Sequence, residues 1–467
     1  MRHDVNSTFS LSNILSEFKY SIRLALPLIA SEAIIALGVF IATIMVAHLG
    51  EDHLAANALV WEIYISVVVF FINILCSVCI MVSQSFGAED THSISVCFKQ
   101  GIIMAIIFAP LMMLIMWFAP IILVWTGQDP VVIKIAKPFF QALIWPMLPL
   151  TIIFVVEQFL IGINKPRIVT LMNLLTVPIQ IFFFYAFLFG KFGFPKSGLA
   201  GIGYALTTSY CLVALLFFYY IHLSKHLRDY RLFHKWWAIN KKFLLELMRV
   251  GFPLGFMYGA DFALFAVVAI MMGVLGTTTL AAYQIANQYL MLSLAFIFAL
   301  TQTTTARVGN EVGRNNRGSL KLTAIVNMGI SIGVILLFSA FYIFFPNLAI
   351  GLDIDIHSPH LQKLVKEAST FLLLVGILIL VDCLRMISIG ALRGLKDTRL
   401  PMFVSIICFW CIAFPCAYLL AFKFNFGGAG IWWGIIIGLF VTGIILFVRF
   451  NRLVKRIDLM SLVTKAG

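Results

Sequence analysis

The sequence predicts an all-α integral membrane protein, with twelve transmembrane helices in two pseudo-symmetric six-helix bundles around a central cleft. Three observations predict it. Of 467 residues, 62% are hydrophobic and 11% charged, and the mean hydropathy is +1.02; soluble domains carry about 45–50% apolar and about 25% charged residues. The apolar residues fall in runs long enough to span a bilayer. The second half of the chain repeats the first. This pattern excludes a soluble enzyme, a disordered chain and a disulfide scaffold.

A spanning helix needs about 20 mostly apolar residues. Cutting the chain at polar and Gly/Pro clusters leaves twelve runs, near 21–47, 54–84, 96–123, 131–159, 165–189, 197–222, 243–274, 279–305, 319–346, 361–391, 399–422 and 428–449. None shows the alternation of a membrane barrel. Residues 1–19 are mostly polar and the first run is too long for a signal peptide, so no cleavable signal is expected. Runs beyond about 25 residues imply tilt or kinks. Pro27, Pro138, Pro146, Pro149, Pro178, Pro253, Pro401 and Pro415 lie in or at the ends of helices. Cys76-Ser-Val-Cys79 and Cys408-Phe-Trp-Cys411 sit inside apolar runs. They read as small membrane-helix residues and not as a metal site, which would need polar support.

Charge orients the runs. The odd connections carry acids, such as Glu51 and Asp52, or Asp353 and Asp355. The even ones carry bases: Lys165 and Arg167; Arg307, Arg314 and Arg317; Arg393, Lys396 and Arg399. The longest connection, 223–242, holds six Lys and Arg against one Asp. The positive-inside rule then places both termini in the cytoplasm. The net charge of +13 is therefore a topology signal, and no nucleic-acid partner is expected.

The basic segment 223–242 separates an N-terminal lobe, 1–222, from a C-terminal lobe, 243–467, with a short cytoplasmic tail. Arg23-Leu-Ala-Leu-Pro27 matches Arg249-Val-Gly-Phe-Pro253. His48-Leu49-Gly50 matches Val274-Leu275-Gly276, and Leu54-Ala-Ala56 matches Leu280-Ala-Ala282, all at one offset of 226 residues. Leu160-Ile-Gly162 resembles Leu392-Arg-Gly394. A repeat with an even number of spans keeps its orientation, so the lobes should be related by an axis along the membrane normal. Two such lobes around a cleft favour a secondary transporter. No phosphate-binding Gly-x-x-x-x-Gly-Lys loop is present, which points to an ion gradient as the energy source.

Charges inside a bilayer cost roughly 2.5–3.5 kcal/mol each on insertion scales and mark function. Asp261 follows Pro253 by eight residues, behind Tyr258-Gly-Ala260. A carboxyl group taken out of water favours its neutral form, so such a site can load a proton on one side and release it on rehydration. Asp382 and Arg385 share one helix face at a spacing of three. Arg385 can pair with Asp382 or reach Asp261; the sequence leaves both open. Glu32 lies within one turn of Ile35, the repeat mirror of Asp261. It reads either as an N-lobe counterpart or as a hydrated residue. Glu62 and Glu157 read as water-accessible residues near helix ends. The deep residues include no His and no nucleophile–base pair, so no catalytic residue, metal site or cofactor is expected.

The chain resembles the multidrug and toxic compound extrusion family (MATE), on its bacterial NorM-like branch, over nearly its whole length. The likeness rests on Leu54-Ala-Ala-Asn-Ala-Leu59, Val82-Ser-Gln-Ser-Phe-Gly87, Gly198-Leu-Ala-Gly-Ile-Gly203, Leu264-Phe-Ala-Val-Val-Ala269, Ala281-Ala-Tyr-Gln-Ile-Ala286, Arg307-Val-Gly309 and Ala391-Leu-Arg-Gly394. The resemblance implies a monomeric antiporter of the bacterial inner membrane that exports amphipathic organic cations against H⁺ or Na⁺. The family's helix-7 acid falls on Asp261 and its helix-10 Asp on Asp382. Arg385 replaces a residue that is usually uncharged. In the N-lobe the expected Asp is Ala42, and the expected Asn pair is Thr176 and Gln180 around Pro178. Coupling should then rest on Asp261, Asp382 and Arg385, with Glu32, Thr176 and Gln180 as an N-lobe contribution. H⁺ is favoured over Na⁺, because Arg385 would repel a metal cation. A flippase for a lipid-linked precursor is the alternative, and Arg385 is the residue that speaks for it.

Overall fold

A computed structural model describes residues 10–49, 51–125, 130–234, 237–354, 356 and 358–464. Gly50 of the repeat, Lys235 of the basic segment and Asp355 lie outside this set. The described residues form no strand. They hold eleven helices long and apolar enough to cross a membrane, or twelve when one bent pair counts as a span. These are α1 (Leu11–Val46), α2 (Ala56–Gly87), α3 (Thr91–Trp125), α4 (Pro130–Ala142 and Met147–Gly162), α5 (Pro166–Phe189) and α6 (Ala200–Leu223). The second set is α7 (Lys241–Leu275), α8 (Thr277–Gly313), α9 (Arg317–Phe344), α10 (Gln362–Gly394), α11 (Arg399–Lys423) and α12 (Gly427–Arg456). The twelve expected runs are thus all helical, with bounds several residues wider at many ends.

The run expected as one span at 131–159 bends by 54° between Ala142 and Met147. Pro146 lies in this break and Pro149 just after it, and both lack a backbone donor. Its repeat mate α10 contains no proline and is continuous. In α11, wider π-turns cover Phe409–Ala413 and Leu419–Lys423. Pro415 cannot donate to the carbonyl four residues back, Cys411, inside the first of them.

The repeat is written into backbone and packing. Glu89 and Asn315, 226 residues apart, both take left-handed φ of 56°. The next residues, Asp90 and Asn316, both cap a helix, accepting from the N–H of Ser93 and Ser319. Gly162 and Gly394 end α4 and α10. A Cβ on either would stand 2.7 Å from a valine methyl, Val82 in one and Val308 in the other. Those valines are again 226 apart. Glycine is required at both sites because the neighbouring helix leaves no room for a side chain.

The chain forms two compact units. Among the described residues, one contains 10–29 and 256–462, the other 30–255 and 463–464. A cut at the basic segment would give all of α1 to the first lobe and all of α7 to the second. The units instead exchange the first parts of these helices, changing at Ile29/Ala30 and Gly255/Phe256, two residues past Pro27 and Pro253. Each proline frees the carbonyl four residues back. The early part of α1 is bonded into the first unit: Arg307 of α8 grips Glu17 through Nε at 3.1 Å and Nη2 at 2.6 Å, and Asn327 of α9 donates to Ser21 at 2.9 Å. Arg307, expected among the loop cations, is only 3% exposed. In the second unit, Gly255 of α7 lies against α2, where a Cβ would meet Ile74 at 2.7 Å and the Phe70 carbonyl at 2.9 Å. In the first unit α8, α9 and α12 pack on α10, which positions the charged residues of that helix.

Candidate functional site

The first unit gathers the C-lobe residues into one buried cluster. Asp261 comes from α7, Asp382 and Arg385 from α10; they are 7%, 2% and 4% exposed. The spacing of three lets Arg385 Nε donate to Asp382 Oδ1 at 2.6 Å. The other end of the guanidinium crosses to α7, where Nη1 and Nη2 donate to Asp261 Oδ2 at 3.1 and 3.2 Å. Of the two pairings left open by the sequence, the structure contains both. The Arg385 guanidinium also lies over the Phe409 ring at 5.1 Å, at the start of the α11 π-turn. A planar, always-charged group with a fork of donors suits such a bridge.

Arg393 is the residue that sequence reasoning missed. Counted there as a loop cation, it is in the last turn of α10 and 1% exposed. Its Nε, Nη1 and Nη2 have no hydrogen-bond partner among the described residues, nor has Oδ1 of Asp261. The guanidinium sits over the Tyr258 ring at 5.0 Å, and Tyr258 is one helical turn before Asp261. The signal available earlier was its place in Ala391-Leu-Arg-Gly394, ahead of a glycine with a tight repeat-related contact. Two carboxylates and two guanidinium groups make the cluster neutral overall. Their pairing is unequal, because Arg385 holds both acids and Arg393 holds neither.

The N-lobe candidates lie in the second unit. Thr176 spends its hydroxyl on the Met172 carbonyl at 2.7 Å. Gln180 lies near Tyr210 of α6. Glu32 is half-buried in α1, within electrostatic range of Glu157 on α4. Glu157, expected to be water-accessible near a helix end, is half-buried and lies near Asn173. Asn173 in turn donates to Ser31 at 2.7 Å, next to Glu32. Asn173 thus ties α5 to α1 next to Glu32, with Glu157 close by, while the Thr176 hydroxyl is held within its own helix. Among the described residues no three His, Cys, Asp or Glu side chains converge as metal ligands would.

Comparison with known proteins gives a consistent likeness. The MatE family profile matches residues 27–186 and 253–419. The probable multidrug resistance protein NorM of Rhizobium meliloti is 30% identical over 444 residues, spanning 95% of each chain. That of Pseudomonas aeruginosa is 30% identical over 438 residues, 94% of this chain and 90% of the relative. The eukaryotic MATE transporter AtDTX14 superposes with a TM-score of 0.84 at 20% identity, covering 96% of this chain and 98% of that one. A transporter from Pyrococcus furiosus, described as having a binding pocket of reverse polarity, gives 0.81 at 20% identity, covering 96% and 97%.

Proposed function

The chain belongs to the MatE family of multidrug and toxic compound extrusion transporters, and on that premise we propose that it exports amphipathic organic cations in exchange for protons. It is a multi-pass membrane protein and a transporter, not an enzyme. In the proposed reading it works as a monomer in a bacterial inner membrane, both termini cytoplasmic, by alternating access. The bridge from Arg385 to Asp261 and Asp382 carries the coupling.

Arg385 occupies the carboxylates as a tethered cation. A transported cation gains Asp261 only when Arg385 lets go of it. That release leaves Arg385 still paired, because Asp382 keeps its Nε. Oδ1 of Asp261, buried and without a partner, is the atom left to take a proton or, once the site opens, a cation. A proton there removes the charge that holds the cation, and the cation leaves. The guanidinium repels Na⁺ from the same position, which favours H⁺. Glu32 and Glu157, with Asn173, form a second pair of acids that can exchange protons in the other unit; Thr176 and Gln180 are its neighbours along α5.

Inside-out vesicles with an imposed proton gradient and no Na⁺ test this reading, with ethidium as the transported cation. Transport by the wild type and its loss in Asp261→Asn and Asp382→Asn are the expected results. Full transport by both variants would refute the mechanism, and transport that needs Na⁺ would refute the choice of ion. The two buried guanidinium groups favour one second reading, a flippase for a lipid-linked precursor. Translocation of such a lipid in proteoliposomes, without ethidium transport, would establish it instead.

A further inference from the structure

Away from the charged cluster, the second unit has an open cleft of about 820 Å³ between the first turns of α3 and residues 229–231, 234 and 238–241. Its walls carry the fixed cations Lys99, Arg231 and Lys241, with the imidazoles of His92 and His234, against the single carboxylate of Asp229. The nearby Asp90 is turned into the α3 cap, on the N–H and hydroxyl of Ser93 at 2.9 and 2.6 Å.

The far wall is held in place. Gln100 is 1% exposed and spends its amide on that segment: Nε2 donates to the Ala238 carbonyl at 2.9 Å, and Oε1 accepts from the Asn240 N–H at 3.2 Å. Arg231 is in the left-handed region, with φ of 45°, and its carbonyl accepts from Ser95 Oγ at 3.5 Å. A non-glycine residue keeps that conformation only where its surroundings impose it. The cleft is thus built from a helix face and a pinned connection. Its cations are gathered in one cavity and repel one another, a repulsion that a bound anion relieves.

We propose that this cavity binds a phosphate-bearing anion. Arginine offers a phosphate its forked donors and lysine a mobile point charge. The cavity belongs to the basic segment, so on the proposed orientation it opens to the cytoplasmic face, where anionic headgroups collect against basic pockets. A phospholipid headgroup and a soluble phosphate compound offer the same chemistry.

The test uses the purified full chain, with pyrophosphate as the soluble probe and nanodiscs of phosphatidylglycerol in phosphatidylcholine as the lipid probe. Native mass spectrometry would read retained lipid, and calorimetry would read pyrophosphate binding. Binding of either probe, weakened at least tenfold in Lys99→Gln/Arg231→Gln, supports the site; the probe that binds identifies the source. His234→Gln/Lys241→Gln serves as a second variant should the first not fold. No binding of either probe, or equal binding to wild type and folded variants, overturns the proposal. Asp261→Asn should bind as wild type does, which separates this site from the transport reading.

Discussion

Arg385 has the most to lose from substitution. Removing it leaves two carboxylates buried without their cation, and breaking a buried pair in this way costs about 3–5 kcal/mol. Arg385→Gln should therefore lower the melting temperature in detergent by about 3–5 °C, and Arg385→Gln/Asp261→Asn should recover part of the loss. An equal effect of both would show that the bridge is not the reason. Arg393 should behave in the opposite way. A buried donor group without a partner costs about 1–3 kcal/mol or more, partly offset by the Tyr258 ring, as a desolvated cation–π contact is worth about 2 kcal/mol. Arg393→Met should be no less stable than wild type. It should nonetheless slow ethidium exchange, because the cation over Tyr258, one turn from Asp261, is gone. Unchanged exchange would leave Arg393 without a role in coupling.

At the scale of helices, the two tight glycines make a paired prediction. Gly394→Ala forces a methyl to within 2.7 Å of Val308, and Gly162→Ala does the same at Val82. Such overpacking costs about 1–3 kcal/mol. Val308→Ala and Val82→Ala remove the methyls but leave a Cβ at 2.8 and 2.9 Å, so each should relieve its own glycine variant only in part, while the crossed combinations should give no relief. Thermal unfolding of the four double variants checks this, and rescue by the wrong valine would break the assignment of repeat contacts. The grip of Arg307 on Glu17 gives another handle. Glu17→Gln removes the charge facing a nearly buried guanidinium, although Glu311 at 3.6 Å keeps it partly paired. The early part of α1 should then become more accessible to hydrogen exchange than the later part.

For the whole molecule, the distribution of bases predicts that both ends face the cytoplasm. A cysteine placed at Ser461 should react with a membrane-impermeant maleimide in inside-out vesicles and not in intact cells. The reverse result would invert the orientation, and with it the side on which Lys99 and Arg231 meet their anion. Much of this architecture was legible in the chain. Apolar runs ended at polar and Gly/Pro clusters, and the offset of 226 residues reappeared in caps, left-handed residues and glycine contacts. The bend in α4 was not read, although Pro146 and Pro149 marked it, because hydropathy counts apolar residues and is blind to a missing donor.

Composition and spacing were sufficient for the class of fold, the number of spans, the repeat and the two acids Asp261 and Asp382, because a bilayer penalises every charge it contains and the survivors stand out. Partner choice was another matter. Whether Arg385 meets Asp261 depends on how α7 lies against α10, and a helix sequence records a spacing along its own axis only. Burial of Arg393 and Arg307 depends on neighbours from distant parts of the chain, so both looked like loop cations. The exchange of the first parts of α1 and α7 between the units was equally hidden. A proline marks where a helix can break, and packing against other helices decides which unit each piece joins.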